Sequence, residues 1–179
     1  GALTLAMLSD GIAFLANVTS GIETVIGFGV AAAAFWLARP SWLSLGLGAT
    51  VALVGESLRV WAAGHLEKEL EVTTFGPYRW MRHPLYVGSS LLGAGFAVAA
   101  RHPVAAALVV LYLVVSLSVA ARLEEATLRV KFGDAYDHYL AGTLGGTHRP
   151  YSLGRARRNG EVQTVLGVLA VLAMLATKV

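Results

Sequence analysis

An all-α, polytopic membrane fold is what this sequence predicts: one domain over residues 1–179, with about five transmembrane helices. The first observation is composition. The 179 residues are 56% hydrophobic and only 14% charged, with a mean hydropathy of +0.63. Soluble domains average roughly 45–50% apolar and about 25% charged, so a soluble fold of this length lacks the polar residues to cover its surface. Disorder is excluded on the same ground, since disordered chains are poor in apolar residues. The second observation is spacing: apolar runs approaching the ~20 residues that a spanning helix needs alternate with proline or charged stretches. The third is the absence of cysteine, which removes disulfides, thiolate metal sites and a cysteine nucleophile.

The first helix is expected from about Ile12 to Ala38, ended by Arg39-Pro40 because proline lacks an N–H and restricts the residue before it. It holds one acid, Glu23, read as having a helix-contact or interfacial role. Ser41 to Ala63 is the second, with Glu56 and Arg59 near its far end. Leu85 to Ala100 is the third, short and glycine-rich, and Pro103 to Ala121 the fourth, with proline in its first turn. Thr164 to Thr177 is the fifth and shortest, of a length that also suits an interfacial helix. Between the fourth and fifth, Leu123, Leu128, Phe132, Tyr136 and Tyr139 recur at roughly helical spacing, as in an amphipathic helix leaving the membrane. The glycine pairs Gly27/Gly29, Gly46/Gly48 and Gly93/Gly95 lack a G-x-G-x-x-G extension and read as close helix contacts in the bilayer.

Ten lysines and arginines fall in the loops 64–84 and 122–160, against three on the opposite side. The positive-inside rule therefore expects both long loops and the N-terminus in the cytoplasm. The pI of about 9.5 follows from those loops, so nucleic acid is not an expected partner; membrane lipids are. No metal is expected, because His65, His83, His102, His138 and His148 form no H-x-x-H or H-E-x-x-H pattern.

Three places carry possible chemistry. Glu56 and Arg59, three apart, share one helix face inside a span. They are either a self-satisfied ion pair or a buried guanidinium able to clamp a carboxylate with two prongs. The segment from Thr73 to Gly88 gathers Tyr78, Arg79, Arg82, His83, Pro84 and Tyr86 at the membrane surface. An aromatic and basic interfacial belt accounts for the residue types, though not for the Arg-His-Pro-x-Tyr order. Glu124 and Glu125 are neighbours that point about 100° apart on a helix, so at most one faces a given ligand squarely, and both are solvated by default.

Taken together, Gly55-Glu56-Ser57-Leu58-Arg59, Gly76-Pro77-Tyr78, Arg82-His83-Pro84-Leu85-Tyr86-Val87-Gly88, and Glu124-Glu125 with Phe132-Gly133, Tyr136 and Tyr139 occur in an order that resembles the isoprenylcysteine carboxyl methyltransferase family. The resemblance covers about Gly55 to Tyr139 and extends in part to phospholipid methyltransferases. It implies S-adenosylmethionine as cofactor, in a cytoplasmic pocket built from a core of about residues 55–150. Lys68, Val72, Thr73, Tyr78, Arg82, His83, Pro84, Leu85, Tyr86, Glu124 and Glu125 are the cofactor-binding residues it implies, and Arg59 with Glu56 the catalytic pair. The implied acceptor is a lipid-like or prenylated small molecule entering from the bilayer, most simply the carboxylate of an isoprenylcysteine. A phospholipid or small-amine N-methyltransferase is the alternative, with Glu56 as base; a sterol-reductase-like NADPH enzyme and a non-enzymatic membrane module are the remaining rivals. The family's Val-Pro…Pro ending is absent here, and only Arg149-Pro150 matches it.

Overall fold

The computed structural model describes residues 2–67, 72–143 and 150–179. It is all-α, with no strand among the described residues: α1 (Ala2–Leu37), α2 (Trp42–Ala63), a single 3-10 turn (Gly76–Arg79), α3 (Pro84–Ala100), α4 (Pro103–Phe132), α5 (Asp134–Leu140), α6 (Leu153–Arg158) and α7 (Glu161–Ala176). Three helices are long and apolar enough to cross a membrane: α1 through its Ser20–Leu37 stretch, α2 and α4. The apolar helices α3 and α7 are shorter, at 17 and 16 residues.

Local chemistry sets the boundaries. Ser41 is the N-cap of α2 rather than its first residue, and it forms a capping box with Ser44: the Ser44 N–H donates to the Ser41 hydroxyl and the Ser41 N–H donates to the Ser44 hydroxyl. Proline opens both α3 and α4, where its missing N–H costs nothing. The expected fourth helix and the amphipathic segment after it are one continuous rod to Phe132, broken where Gly133 turns to φ +47. A glycine is needed there, because that conformation penalises a Cβ. The short α5 follows and carries Tyr136 and Tyr139.

Helix α1 lies against α4, α4 against α3, α3 against α2, and α2 against α7. The seventh helix is thus part of the bundle and not a separate interfacial piece. Large side chains point outward, Trp36 being 84% exposed, while the two buried clusters are built mostly from small residues: Ala34, Ala38, Ala99, Ala100 and Ala105 in one, Ala52 with Leu92 and Val168 in the other. In lipid, apolar side chains gain nothing by hiding from their surroundings, so helices associate through close backbone packing.

The seam between α2 and α3 is the closest such contact. Gly48, Ala52 and Gly55 of α2 face Gly88, Leu92, Gly95 and Ala99 of α3. A Cβ on Gly55 would stand 2.6 Å from the Gly88 carbonyl oxygen, and one on Gly88 would stand 2.8 Å from the Gly55 carbonyl. Of the glycine pairs read as helix contacts, Gly27, Gly48, Gly93 and Gly95 are so used, but Gly29 and Gly46 meet open space. A period of two cannot keep both members of a pair on one face of a 3.6-residue helix.

The bundle is tied at both ends. At one, the Arg39 N–H donates to the Ala100 carbonyl at 2.9 Å, and the Lys178 ammonium donates to the Phe35 and Trp36 carbonyls in the last turn of α1. At the other, where the two long loops emerge, the buried Arg155 donates to Glu67 and to the Gly64 carbonyl, both at 2.6 Å. Glu23 makes the expected helix contact through its backbone, its carbonyl accepting from the Tyr112 hydroxyl at 3.1 Å.

Replacing Gly55 by alanine is expected to cost about 1–3 kcal/mol, because the new methyl meets backbone that cannot rotate away. Gly46→Ala, with free space, should be neutral or gain up to about 1 kcal/mol from helix propensity. Thermal unfolding of the two variants in detergent checks the contrast, and equal midpoints would refute the seam.

Candidate functional site

Arg59 sits one turn before the end of α2, on the face turned to α3 and α7. Its closest ionic partner is not the neighbouring Glu56, which lies 3.7 Å away (Nε to Oε2), but Glu161 at the start of α7, whose Oε1 accepts from Nη2 at 2.9 Å. The other guanidinium arm donates to the Ser89 hydroxyl and reaches the Leu85 carbonyl at 3.5 Å. Of the two alternatives open from the sequence, a self-satisfied Glu56–Arg59 ion pair does not hold. The i, i+3 spacing brings the two side chains to one face, but the shorter and better-aligned carboxylate comes from another helix. Glu56 and Glu161 are 5% and 4% exposed. Both oxygens of Glu56, Oε2 of Glu161 and Nε of Arg59 are buried without a hydrogen-bond partner. Unmatched polar atoms at this depth are expensive.

A second cluster lies beside it, where the 72–83 loop meets α3 and the end of α4. His83 caps α3, and its ring stacks on Tyr86 with centroids 5.3 Å apart and an 18° tilt. Its Nδ1 is 3.5 Å from Glu124 Oε2 and its Nε2 is 3.2 Å from Glu125 Oε1. The default expectation of two solvated glutamates is corrected. Side chains 100° apart do not share one small ligand face, but they do flank one imidazole that has a nitrogen on either side. A neutral imidazole has a single N–H, so only the imidazolium donates to both carboxylates. The Glu124 hydrogen bond accordingly holds the His83 pKa above its ordinary 6.5, against the opposing effect of burial and with help from Glu125.

The remaining wall is aromatic. The Tyr139 hydroxyl of α5 donates to the Tyr78 carbonyl at 3.1 Å, docking α5 onto the 3-10 turn, and Tyr136 beside it is 1% exposed. Burial pushes the Tyr78 phenol far above its usual value of 10, with Glu124, Tyr139, Tyr86 and Glu161 adding to the shift. The Leu85 carbonyl, 3.5 Å from Arg59, links the two clusters along the start of α3.

Of the residues singled out in the sequence, Tyr78, His83, Tyr86, Glu124 and Glu125 converge. Pro84 is buried beneath them, and the Leu85 carbonyl joins them to Arg59. Arg82 is exposed, and its charge acts on Tyr136 and Tyr139. Thr73 is buried, its hydroxyl accepting from the Glu67 N–H at 3.4 Å, while Val72 is a half-buried loop residue beside it. Lys68 lies outside the described residues. Sequence reasoning missed Glu161 and Ser89. The one available signal for Glu161 was an acid directly after Asn159-Gly160, which equally suits a first-turn helix-dipole partner.

The elements define an all-helical protein with helices apolar enough to cross a membrane. The chain matches the phospholipid methyltransferase family over residues 22–135, well over half its length, and belongs to that family. Membership carries S-adenosylmethionine-dependent methyl transfer to lipid-like substrates, and with the apolar helices it makes this an integral membrane protein. No curated protein and no solved structure matches the chain.

Two outcomes follow from the geometry. A histidine with a raised folded-state pKa stabilises fully below its unfolded value, and the contribution is lost as pH rises through the folded one. The thermal midpoint of the wild type should therefore exceed that of His83→Gln most at pH 6, and the gap should close as pH climbs above 6.5; a pH-independent gap would contradict the imidazolium bridge. Arg59→Ala leaves two buried carboxylates without their counter-ion, at a cost of about 3–5 kcal/mol. Its melting temperature should fall well below that of the single variant Glu56→Gln.

Proposed function

We propose that this protein methylates the amine end of a membrane lipid, with S-adenosylmethionine held between the 72–83 loop and the α4–α5 corner. The residues there suit that cofactor. Tyr78 and Tyr86 offer ring faces to an adenine and a sulfonium. Glu124 and Glu125 offer acceptors to ribose hydroxyls or the ammonium, and His83 or Arg82 offers a cation to the carboxylate. The positive-inside count supports a cytoplasmic position for this pocket.

The observation that carries the acceptor class is the charge at Arg59. One guanidinium faces two buried carboxylates, Glu56 and Glu161, at 3.7 and 2.9 Å. A carboxylate acceptor would have to enter beside both. An ammonium is attracted instead, and the buried Glu56 oxygens have no hydrogen-bond donor of their own. When bound, S-adenosylmethionine would supply a methyl group on a positive sulfur, a leaving group that would keep the electron pair of the broken bond as a neutral thioether. Glu56 accepts the proton that the ammonium gives up, which bares the nitrogen lone pair for the new N–C bond. Arg59, fixed by Glu161 and Ser89, holds Glu56 in place. Positioning of this kind can contribute about 7–11 kcal/mol to lowering the barrier.

One observation favours the carboxylate reading: Arg59 Nε is buried without a hydrogen-bond partner, and the Gly55–Arg59 stretch resembles the isoprenylcysteine enzymes. Methyl transfer to phosphatidylethanolamine and to farnesylcysteine, each in mixed micelles with labelled cofactor, separates the two. The amine lipid should be the better acceptor. Glu56→Gln should lower kcat on it by about 10²–10⁴-fold, the range for loss of a general base, with S-adenosylhomocysteine affinity unchanged by calorimetry. A Glu56→Gln enzyme of normal kcat would remove the base assignment.

A further inference from the structure

The family match ends at residue 135, yet the carboxylate closest to Arg59 comes from residue 161, 102 positions along the chain from it. The path that brings it there is built in detail. Arg155 on α6 donates to Glu67 and to the Gly64 and Pro150 carbonyls, at 2.6, 2.6 and 3.2 Å. Asn159 donates to the Ala63 and Leu66 carbonyls at 2.8 and 2.9 Å, and the Ser152 N–H donates to the Gly64 carbonyl at 3.0 Å. These groups satisfy the carbonyls left unpaired where α2 ends. They also fasten α6 directly above the last turn of α2. Gly160, at φ +92, then reverses the chain so that α7 starts downward with Glu161 against Arg59, one turn from those carbonyls.

We propose that Glu161 is the residue that sets acceptor specificity. It is the second carboxylate against a single guanidinium, and so it gives the cluster its excess negative charge. Without it, Arg59 and Glu56 alone form a neutral pair with one guanidinium arm free, which is the arrangement that binds a carboxylate in two-pronged fashion. With it, that arm is occupied at 2.9 Å, and a cationic lipid end is selected over an anionic one. The inference rests on the amine reading above and deepens it.

The test compares wild type, Glu161→Gln and Glu161→Asp for kcat and KM on phosphatidylethanolamine and on farnesylcysteine in mixed micelles. Glu161→Gln keeps the size and an oxygen for Arg59 but removes the charge. It should lower kcat/KM on the amine lipid at least tenfold, chiefly through KM, while the value on the carboxylate lipid holds or rises. Glu161→Asp keeps the charge and should keep the wild-type preference. Calorimetry with S-adenosylhomocysteine should give the same affinity for all three. A residue serving only to brace the fold would lower both acceptors equally, and that result overturns the inference while leaving the amine reading intact. A wild type that prefers farnesylcysteine removes both.

Discussion

A guanidinium inside a bilayer must be neutralised, and that requirement organises this molecule. Arg59 cannot leave its place on α2 without exposing a charge to lipid. Glu56 from its own helix, Ser89 from α3 and Glu161 from α7 all turn toward it. Three helices are thereby held in one rotational setting by a single side chain. Under the proposed function, the group that fixes the helices is also the one beside the acceptor. The cluster is only partly satisfied: both Glu56 oxygens, one Glu161 oxygen and Arg59 Nε are buried without a hydrogen-bond partner.

Around that centre the protein uses two kinds of packing. Within the span, α2 and α3 meet through glycine and alanine, and the backbones themselves touch. At the loop end, contacts are polar and cross between distant segments: Tyr139 to the Tyr78 carbonyl, Arg155 to Glu67, His83 between Glu124 and Glu125. The first kind is insensitive to pH and salt. The second responds to both, because His83 is titratable, its pKa held up by Glu124, and the glutamates are partly exposed.

The helices were legible because their signals are local. Pro40, Pro84 and Pro103 punctuate the chain, Ser41 caps, and long apolar runs fill the spans. The Arg-His-Pro and Glu-Glu segments could be matched to a family, and the structure brings those two segments together. The role of Glu161 was not legible: a first-turn acid has an ordinary local explanation, and its partner lies 102 residues away. The His83 bridge was misjudged for a different reason. The angular argument about adjacent glutamates was sound, but it assumed a ligand approaching from one side, not a ring lying between them. The continuity of α4 through Phe132 escaped because hydropathy falls after Ala121 while helical hydrogen bonding continues.

The α2–α3 seam also decides where a lipid cannot pass. Carbonyl and amide groups of the two helices stand face to face at Gly48 and Gly95 and again at Gly55 and Gly88, so no gap between them admits an acyl chain. That wall is shut from the level of Gly48 and Gly95 to the level of Arg59. A molecule arriving from the membrane must therefore find its doorway along another flank, and whichever flank it uses fixes which of its ends arrives first.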